Sequence, residues 1–337
     1  VSPDEAIGCV RKYIALERSM GTVLSLSSIR STQNTADEFY EKEEQYYAET
    51  TPGLMEKINL FYKAMLESPF RLQMEKVFGK VAFVNAEISL KTISPEILSL
   101  LHEESLLCIE YQKLQGSMMA ELDGKKYPIT MLGRFKTSDV RETRRKAYLA
   151  EGKAYEEKGK DFDEIYDKMV SVRTKAARAL GHDCFTPLGY LRMTRNCYDP
   201  DMVRAFRQQV KDVVVPLVSE LKKKQAERLG IERVTIYDDA VLCPDGNPKP
   251  VVENDELYQR GLSLYRDMGE QTAQMINKMD EMGAFDLYSR ENKMSGGYCT
   301  VLPDYAVPYI FANFNGTSGD VEVITHEAGH AFAAYMA

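Results

Sequence analysis

The most restrictive feature of the chain is the run His326-Glu327-Ala328-Gly329-His330. Two histidines four residues apart can act together on an α-helix, where both side chains project from one face, one turn apart. Glu327 follows about 100° further round such a helix, because each residue advances the backbone by that angle. The sequence therefore predicts a helix with both imidazoles on one side and a carboxylate offset from them.

A helix start precedes this run at Thr317-Ser318-Gly319-Asp320. Thr317 suits the N-cap, and Asp320 would stand at the third helical position, where a negative charge favours the positive end of the helix dipole. We expect the helix to run from there through Ala337. Its other side carries apolar residues for packing, namely Ile324, Ala328, Phe332 and Tyr335.

The spacing of the two histidines predicts a metal site. Two imidazoles one turn apart can share one Zn²⁺, and the adjacent carboxylate can act as general base toward a water on the metal, which is how H-E-x-x-H metallopeptidases divide the work. His326 and His330 are thus candidate ligands, and Glu327 is the candidate base. The alternative, that they are ordinary residues of an amphipathic helix, stays open at this point. His102 and His182 show no such pairing, and we expect neither to be functional.

Most of the remaining chain has helical periodicity. Ser2-Pro3-Asp4-Glu5 is typical of a capped helix start. Further helices are predicted over residues 35–67 with a break at Thr51-Pro52-Gly53, and over 97–114, 138–157, 162–180, 199–229 with a kink or join at Pro216, and 256–282.

Two stretches lack this periodicity. The turn signal Asp123-Gly124-Lys125 predicts a boundary between an N-terminal helical lobe, residues 1–122, and a second domain, residues 123–337. Between Phe285 and Asn315 the chain is rich in Gly, Tyr, Val, Pro and Phe, and two short strands are predicted over 295–301 and 309–314. The overall prediction is a mainly helical protein with a small β-sheet before the histidine helix.

Charge and composition limit the partners. The net charge of −8 argues against non-specific nucleic-acid binding, which needs a basic surface. The six cysteines are scattered and suit free thiols in a reducing compartment. No segment approaches the roughly 18 uninterrupted apolar residues of a membrane span. We expect a cytoplasmic protein with neither a nucleic-acid nor a membrane partner.

The stretch FDLYSRENKMSGGYCTVLPDYAVPYIFANFNGTSGDVEVITHEAGHAF closely resembles the oligoendopeptidase F family, zinc peptidases related to thimet oligopeptidase. The upstream helical part is similar to the family as well. The elements that carry the resemblance are Phe285-Asp286-Leu287, Gly296-Gly297-Tyr298-Cys299, Asn313-Phe314-Asn315-Gly316 and the His326–His330 motif.

The resemblance implies a mainly α, two-lobed helical shell around a deep channel, with the small β-sheet beside the zinc helix. It implies one Zn²⁺ per chain, with a Glu beyond Ala337 as the third protein ligand. The Tyr and His that stabilise the transition state in the family are likewise expected beyond Ala337. The C-terminal part of the fold is therefore expected to be missing and the second domain to be incomplete. Because that part would cover the end of the helix, Phe332, Tyr335 and Met336 are expected to lack packing partners.

The resemblance also implies a zinc-dependent endopeptidase that hydrolyses short flexible peptides inside the channel. An edge strand around Phe311–Asn313 would pair with substrate backbone, which makes Gly297, Ala312 and Asn313 the expected substrate-binding residues. Two alternatives remain open: an inactive peptide-binding fragment of such an enzyme, and a zinc metallocarboxypeptidase with the same motif. The oligomeric state is left open.

Overall fold

The structure, a computed structural model, describes residues 2–252 and 254–337, without the side chains of residues 254 and 255. Helices dominate it, as predicted. In chain order they are α1 (Pro3–Gln33), α2 (Glu38–Leu66), α3 (Arg71–Phe78), α4 (Lys80–Ser89), α5 (Leu98–Gly116), α6 (Gly133–Lys136), α7 (Arg141–Ala179), α8 (Phe185–Arg192), α9 (Pro200–Gln209), α10 (Val215–Leu229), α11 (Asn254–Met268), α12 (Glu270–Glu281) and α13 (Ser318–Met336). None of the helices in the described ranges has a stretch apolar and long enough to cross a membrane.

The strands form two small sheets. A hairpin pairs β1 (Met119–Leu122) with β2 (Lys125–Pro128). Its two turn residues, Asp123 and Gly124, both have positive φ, as two-residue hairpins favour. The second sheet contains β3 (Phe285–Tyr288), β4 (Tyr298–Leu302) and β5 (Val307–Phe314) in the order β3-β5-β4. Within it, β3 runs parallel and β4 antiparallel to the central strand β5.

The chain folds into two compact units, each assembled from three segments. Unit 1 comprises Val1–Met20, Glu41–Tyr111 and Asp161–Val213, and unit 2 comprises Gly21–Tyr40, Gln112–Lys160 and Val214–Ala337. The segments of the two units alternate along the chain, whereas the predicted domains were two consecutive ranges. The domain boundary between residues 122 and 123 therefore stays a prediction.

Unit 1 is held by two apolar clusters and a buried ion pair. Glu104 is buried and accepts hydrogen bonds of 2.7 Å from both Arg173 and Arg192. The first cluster contains Ala6, Val10, Met65, Met74, Phe83 and Ala86, and the second contains Ile97, Ala176, Ala177 and Leu188.

Unit 2 has its core around the three-stranded sheet. Every residue of β5 except Asn313 is buried, so this strand lies inside the unit. Helices α11, α12 and α13 contribute apolar side chains to the same cluster, among them Leu262, Tyr265, Met275, Ile276, Met279, Ile324, Ala328 and Ala331. Phe332 and Tyr335 also pack partly against it, so the expectation that they lack partners is wrong.

Several helix predictions are confirmed and three are wrong. One of the three is the single helix over 256–282, which is two helices, α11 and α12, divided at Gly269 because glycine disfavours a helix interior. The N-terminal cap is confirmed, because Ser2 and Glu5 exchange backbone-to-side-chain hydrogen bonds. At Pro216 the predicted join is a π-helical turn, Val210–Val214, between α9 and α10. The predicted break at Thr51-Pro52-Gly53 is wrong, because α2 continues through a buried Pro52 whose packing offsets the lost backbone hydrogen bond.

The third wrong prediction divided α7 between residues 157 and 162, where the helix is in fact continuous. That stretch contains Gly159 but no proline, and glycine inside a helix costs only about 1 kcal/mol.

A buried charge cluster fastens the start of α7 within unit 2. The fully buried Asp238 carboxylate accepts two hydrogen bonds from Arg141, at 2.9 and 2.8 Å, and one of 3.0 Å from the buried Arg144. Thr235 adds a hydroxyl at 2.6 Å. The hydrogen bonds from Arg141 hold the pKa of Asp238 well below its usual range, supported by those of Thr235 and Arg144, while burial acts in the opposite direction.

A single buried carboxylate organises the start of α13. Asp320 accepts the backbone N–H groups of Asn315 at 3.0 Å and of Gly316 at 2.7 Å. Burial raises the pKa of Asp320, and these backbone hydrogen bonds oppose the rise. Thr317 is the N-cap residue, as predicted, but its hydroxyl donates to Asn315 instead of capping the helix. Asp320 instead fixes the loop that leads into the helix.

We expect Asp238→Asn to lower the free energy of unfolding by about 3–5 kcal/mol, because it leaves a buried guanidinium without its counter-charge. Asp239→Asn, at a neighbouring exposed carboxylate paired with Lys222, is the matched control. Because the folded-state pKa of Asp238 is depressed, its stabilisation is present above about pH 4 and is lost as the pH falls further. Urea unfolding at pH 7 and at pH 3 measures both effects, and equal losses for the two variants at pH 7 would contradict the assignment.

We expect Asp320→Ala to destabilise the protein by about 1–3 kcal/mol, because two backbone N–H groups lose their acceptor. Glu322→Ala, at an exposed position on the same helix, is the control and should change stability by less than about 0.5 kcal/mol. Thermal unfolding of both variants is the measurement. A loss for Glu322→Ala as large as that for Asp320→Ala would show that removal of a negative charge near the start of the helix, not the lost hydrogen bonds, is responsible.

Candidate metal centre

Helix α13 places the predicted imidazole pair together. His326 and His330 lie on its exposed face, and their Nε2 atoms are 3.1 Å apart. The ring centroids are 4.7 Å apart with the planes at 80°. Two nitrogens bound tetrahedrally to one Zn²⁺ at 2.0–2.1 Å would be about 3.3 Å apart, which is close to the observed distance. The same separation suits a hydrogen bond between the rings, so the geometry permits a shared cation without requiring one.

The described part of the chain offers no complete ligand set. Across residues 2–252 and 254–337, no group of three or more His, Cys, Asp or Glu side chains could hold a metal ion. His326 and His330 are therefore a pair of candidate ligands that needs a further group. The Glu expected beyond Ala337 stays a prediction.

Glu327 lies on the face of the helix next to the imidazoles, about 100° round the axis from His326. It is buried, with 9% of its surface exposed, and it faces the start of β4. A Cβ atom added to Gly297 would stand 3.8 Å from Glu327 Oε1 and 3.2 Å from the carbonyl oxygen of Phe311. Glycine at position 297 therefore lets the backbone approach both β5 and the carboxylate.

The structure corrects the predicted edge strand. Phe311–Asn313 belongs to β5, which is the central strand, and the edges of the sheet are β3 and β4. The reason is hydrophobicity: β5 is buried along almost its whole length, as suits a strand flanked on both sides, whereas β4 is only partly buried except at Leu302.

The three residues predicted to bind substrate differ in their surroundings. Gly297 immediately precedes the edge strand β4 and lies beside Glu327. Ala312 is fully buried, and its carbonyl accepts a hydrogen bond from Lys293. Asn313 donates its side-chain amide to the carbonyls of Met294, at 2.9 Å, and Gly296, at 2.8 Å. Contact of these residues with substrate stays a prediction.

A buried lysine behind the sheet was missed by the sequence analysis. The Lys293 side chain has no exposed surface, and its ammonium group donates to the Asp286 carboxylate and to the carbonyls of Asp286, Tyr288 and Ala312. It also lies 4.3 Å from the centre of the Phe311 ring. Lysine is almost never fully buried, so composition gave no warning of it. The nearest signal was its place inside the stretch that carries the family resemblance.

The charges around the sheet shift several pKa values. Burial lowers the pKa of Lys293 to about 8, although the hydrogen bond and charge of Asp286 act against this. Burial alone would raise the pKa of Asp286, but hydrogen bonds from Arg290 and Lys293 hold it below its usual range. Burial, followed by the charge of Glu327, raises the pKa of the Cys299 thiol to about 11. Cys299 is thus a neutral thiol at pH 7.

Comparison with known protein families gives two matches along the chain. Residues 1–93 match the peptidase M3 N-terminal domain, and residues 134–337 match peptidase family M3. A comparison with curated proteins gave no match.

Solved structures show the same relationship. PZ peptidase A, solved with an inhibitor, is 40% identical with a TM-score of 0.93. The match covers 95% of this chain and 57% of the PZ peptidase A chain. A protein described as an oligoendopeptidase F from Bacillus anthracis str. Ames is 38% identical with a TM-score of 0.93, covering 95% of this chain and 59% of its own. A further structure described as oligoendopeptidase F is 39% identical with a TM-score of 0.94. The match covers 99% of this chain and 61% of that protein.

The chain thus spans about three fifths of the length of these solved relatives. Its fold agrees with theirs over nearly all of its own residues, and the family match includes the H-E-x-x-H helix and the sheet beside it. Because the family model covers more than half of the sequence, this chain belongs to peptidase family M3, among the relatives of oligoendopeptidase F.

Proposed function

We propose that this chain carries the zinc-binding and general-base part of an endopeptidase that hydrolyses short, flexible peptides. The observation that supports this most directly is the convergence of the His326 and His330 ring nitrogens, 3.1 Å apart, on the exposed face of α13. Glu327, the next residue after the first histidine, supplies a carboxylate near the same helix turn. Membership of a peptidase family supports the reaction type.

The donor set suits Zn²⁺. Neutral imidazole nitrogens are common zinc ligands, and catalytic zinc sites use three protein ligands with one position left for water or substrate. His326 and His330 would supply two of the three. When bound, Zn²⁺ supplies Lewis-acid polarisation of a carbonyl oxygen and lowers the pKa of water.

Glu327 would act as the general base. Its carboxylate takes the proton of the attacking water and passes it to the leaving amine, work that typically contributes 10²–10⁴-fold to the rate. Its side chain is buried beside Gly297, which limits the rotamers open to it. Asp320 contributes indirectly, because it fixes the loop from which α13 starts.

The peptide substrate would add to the sheet at β4. This strand is an edge strand, with β5 on one side, and its outer N–H and C=O groups can pair with an extended peptide. Gly297 lies just before β4 and next to Glu327, so a peptide paired there would run toward the carboxylate. Backbone pairing gives affinity with little side-chain selectivity, which suits a peptidase of short, varied peptides.

We expect Glu327→Gln to lower kcat on a blocked fluorogenic peptide by about 10²–10⁴-fold while the bound zinc is retained, because the amide keeps the shape but cannot accept the proton. The protein carrying this chain is assayed for turnover and for metal content. Glu322→Gln, which makes the same change at an exposed acid on the same helix, is the control. Turnover by Glu327→Gln at the wild-type rate would overturn the role of Glu327.

The blocked termini of that peptide also separate two classes of peptidase. An endopeptidase tolerates a blocked C-terminus, whereas a carboxypeptidase needs the free carboxylate. If the enzyme cleaved the peptide with a free C-terminus but not the blocked one, the assignment would change from endopeptidase to metallocarboxypeptidase.

A second candidate function is peptide binding without hydrolysis. It is favoured by the lack of a third ligand among the described residues, since two imidazoles alone leave the metal's coordination open. In that case the edge of β4 still binds an extended peptide, but no turnover follows.

We expect His326→Ala and His330→Ala each to weaken Zn²⁺ binding by at least about tenfold, because each removes one of two protein ligands. His182→Ala, which removes an imidazole from unit 1, is the matched control and should bind zinc like the wild type. Competition with a chromophoric chelator measures the affinities. Equal zinc affinity in all three variants would show that this pair does not bind the metal.

A further inference from the structure

We propose that Lys293 is a positioning residue for the proposed general base: together with Asn313, it fixes the segment 293–297 so that the Gly297 backbone lies beside Glu327. This inference rests on the proposed function for its catalytic consequence. Its structural part is independent of that function, because it concerns only how one segment of unit 2 is held.

The first observation is the number of backbone groups that Lys293 binds. Its ammonium group hydrogen bonds to the carbonyls of Asp286 and Tyr288, each at 3.0 Å, and to that of Ala312. The first two lie in β3 and the third lies in β5. An ammonium has three protons, so these acceptors and the Asp286 carboxylate, at 2.8 Å, saturate it. One side chain thereby ties the start of the segment to two strands.

The second observation is that other hydrogen bonds fasten the same segment. Asn313 donates to the carbonyls of Met294 and Gly296, so both residues are held against the C-terminal end of β5. The Met294 N–H donates to the carbonyl of Thr32 at 2.9 Å. The segment is short, lacks regular structure and has side-chain or backbone anchors at three of its residues.

The third observation is where the segment ends. Gly297 approaches the Phe311 carbonyl so closely that a Cβ atom would stand 3.2 Å away, and that same Cβ would be 3.8 Å from Glu327 Oε1. The segment therefore delivers the chain to the start of β4 at the point where Gly297 lies beside the carboxylate, and the pairing of Tyr298 with Phe311 continues from there. A displacement of about 1 Å in a positioned group can cost 10²-fold in rate.

The burial of a charged lysine supports this reading over simple stabilisation of the sheet. An apolar side chain at this position would pack against Phe311 without the desolvation of an ammonium group, and buried charges are weak devices for stability alone. The gain from a lysine is directional: it specifies which carbonyls must meet, and so specifies the register of β3, β5 and the segment before β4.

Arg290 offers a matched control. It binds the same Asp286 carboxylate, with two hydrogen bonds of 2.7 Å, but its side chain is 44% exposed and its other bonds go to the carbonyls of Tyr288 and Gln33. Arg290→Met therefore removes an ion pair of Asp286 while leaving the link from Lys293 to Ala312 in place.

The test compares Lys293→Met with Arg290→Met in the protein carrying this chain. We expect Lys293→Met to lower kcat on the blocked peptide by about 100-fold with KM changed less than threefold, because the base and the strand lose their relative position but the peptide still pairs with β4. Arg290→Met should keep kcat within threefold of the wild type. Zinc affinity should be unchanged in both, since His326 and His330 are untouched.

Hydrogen exchange provides a readout that does not depend on activity. Amide exchange over residues 294–300 should be at least tenfold faster in Lys293→Met than in the wild type, and near the wild-type rate in Arg290→Met. Asn313→Ala should also speed exchange there, and it serves in place of Lys293→Met if the latter does not fold.

Unchanged exchange over residues 294–300 in Lys293→Met, or in Asn313→Ala where that variant stands in, would overturn the proposal. Faster exchange with kcat within threefold of the wild type would also overturn it, because the segment would then have no bearing on the base. Failure of the proposed function looks different: Glu327→Gln turns over like the wild type, or the wild type has no activity. In either case the exchange comparison alone decides whether Lys293 fixes the segment.

Discussion

Unit 2 depends on the burial of one strand, β5. Both of its edges carry a neighbouring strand, and α13 packs on it through Ile324, Ala328 and Ala331. This packing orients the helix about its own axis. With that apolar side fixed against the sheet, His326 and His330 must face outward and Glu327 must face the start of β4. The arrangement of the candidate metal centre is thus a consequence of hydrophobic packing on β5, not of contacts among the three polar residues themselves.

Buried charges define the parts of unit 2 that lack regular structure. Asp238 binds Arg141 and Arg144 in the first turn of α7, and Lys293 holds the segment before β4. Both groups bind several partners at once, which is how charges are accommodated inside proteins. Such groups add little net stability when compared with well-packed apolar side chains, but their hydrogen bonds are directional. Buried charged groups therefore fix the conformation of a loop in places where apolar packing alone would permit several conformations.

Two neighbouring faces of α13 carry the proposed chemistry, one exposed and one buried. The imidazoles are open to solvent, where a metal ion and a peptide can arrive. Glu327 is buried, lies against Gly297 and is near the neutral thiol of Cys299. A carboxylate held in this way can be directed at one position, and the nearby edge of β4 gives a peptide a defined line of approach. The sheet thus serves both as the support of the helix and as the proposed docking edge.

Periodicity and spacing alone determined the mainly helical class, the small sheet and the helix with its histidine pair, because these are local properties: i to i+4 spacing, a helix start and a loss of helical period. The family followed from a run of specific residues around Gly297 and His326. Tertiary structure alone decided that Phe311–Asn313 lies in the central strand, since strand order depends on pairing between distant segments. It also decided that α2 passes through Pro52, because packing outweighed a local breaker, and that Lys293 is buried, because its acceptors come from β3 and β5 and meet only when the sheet has formed.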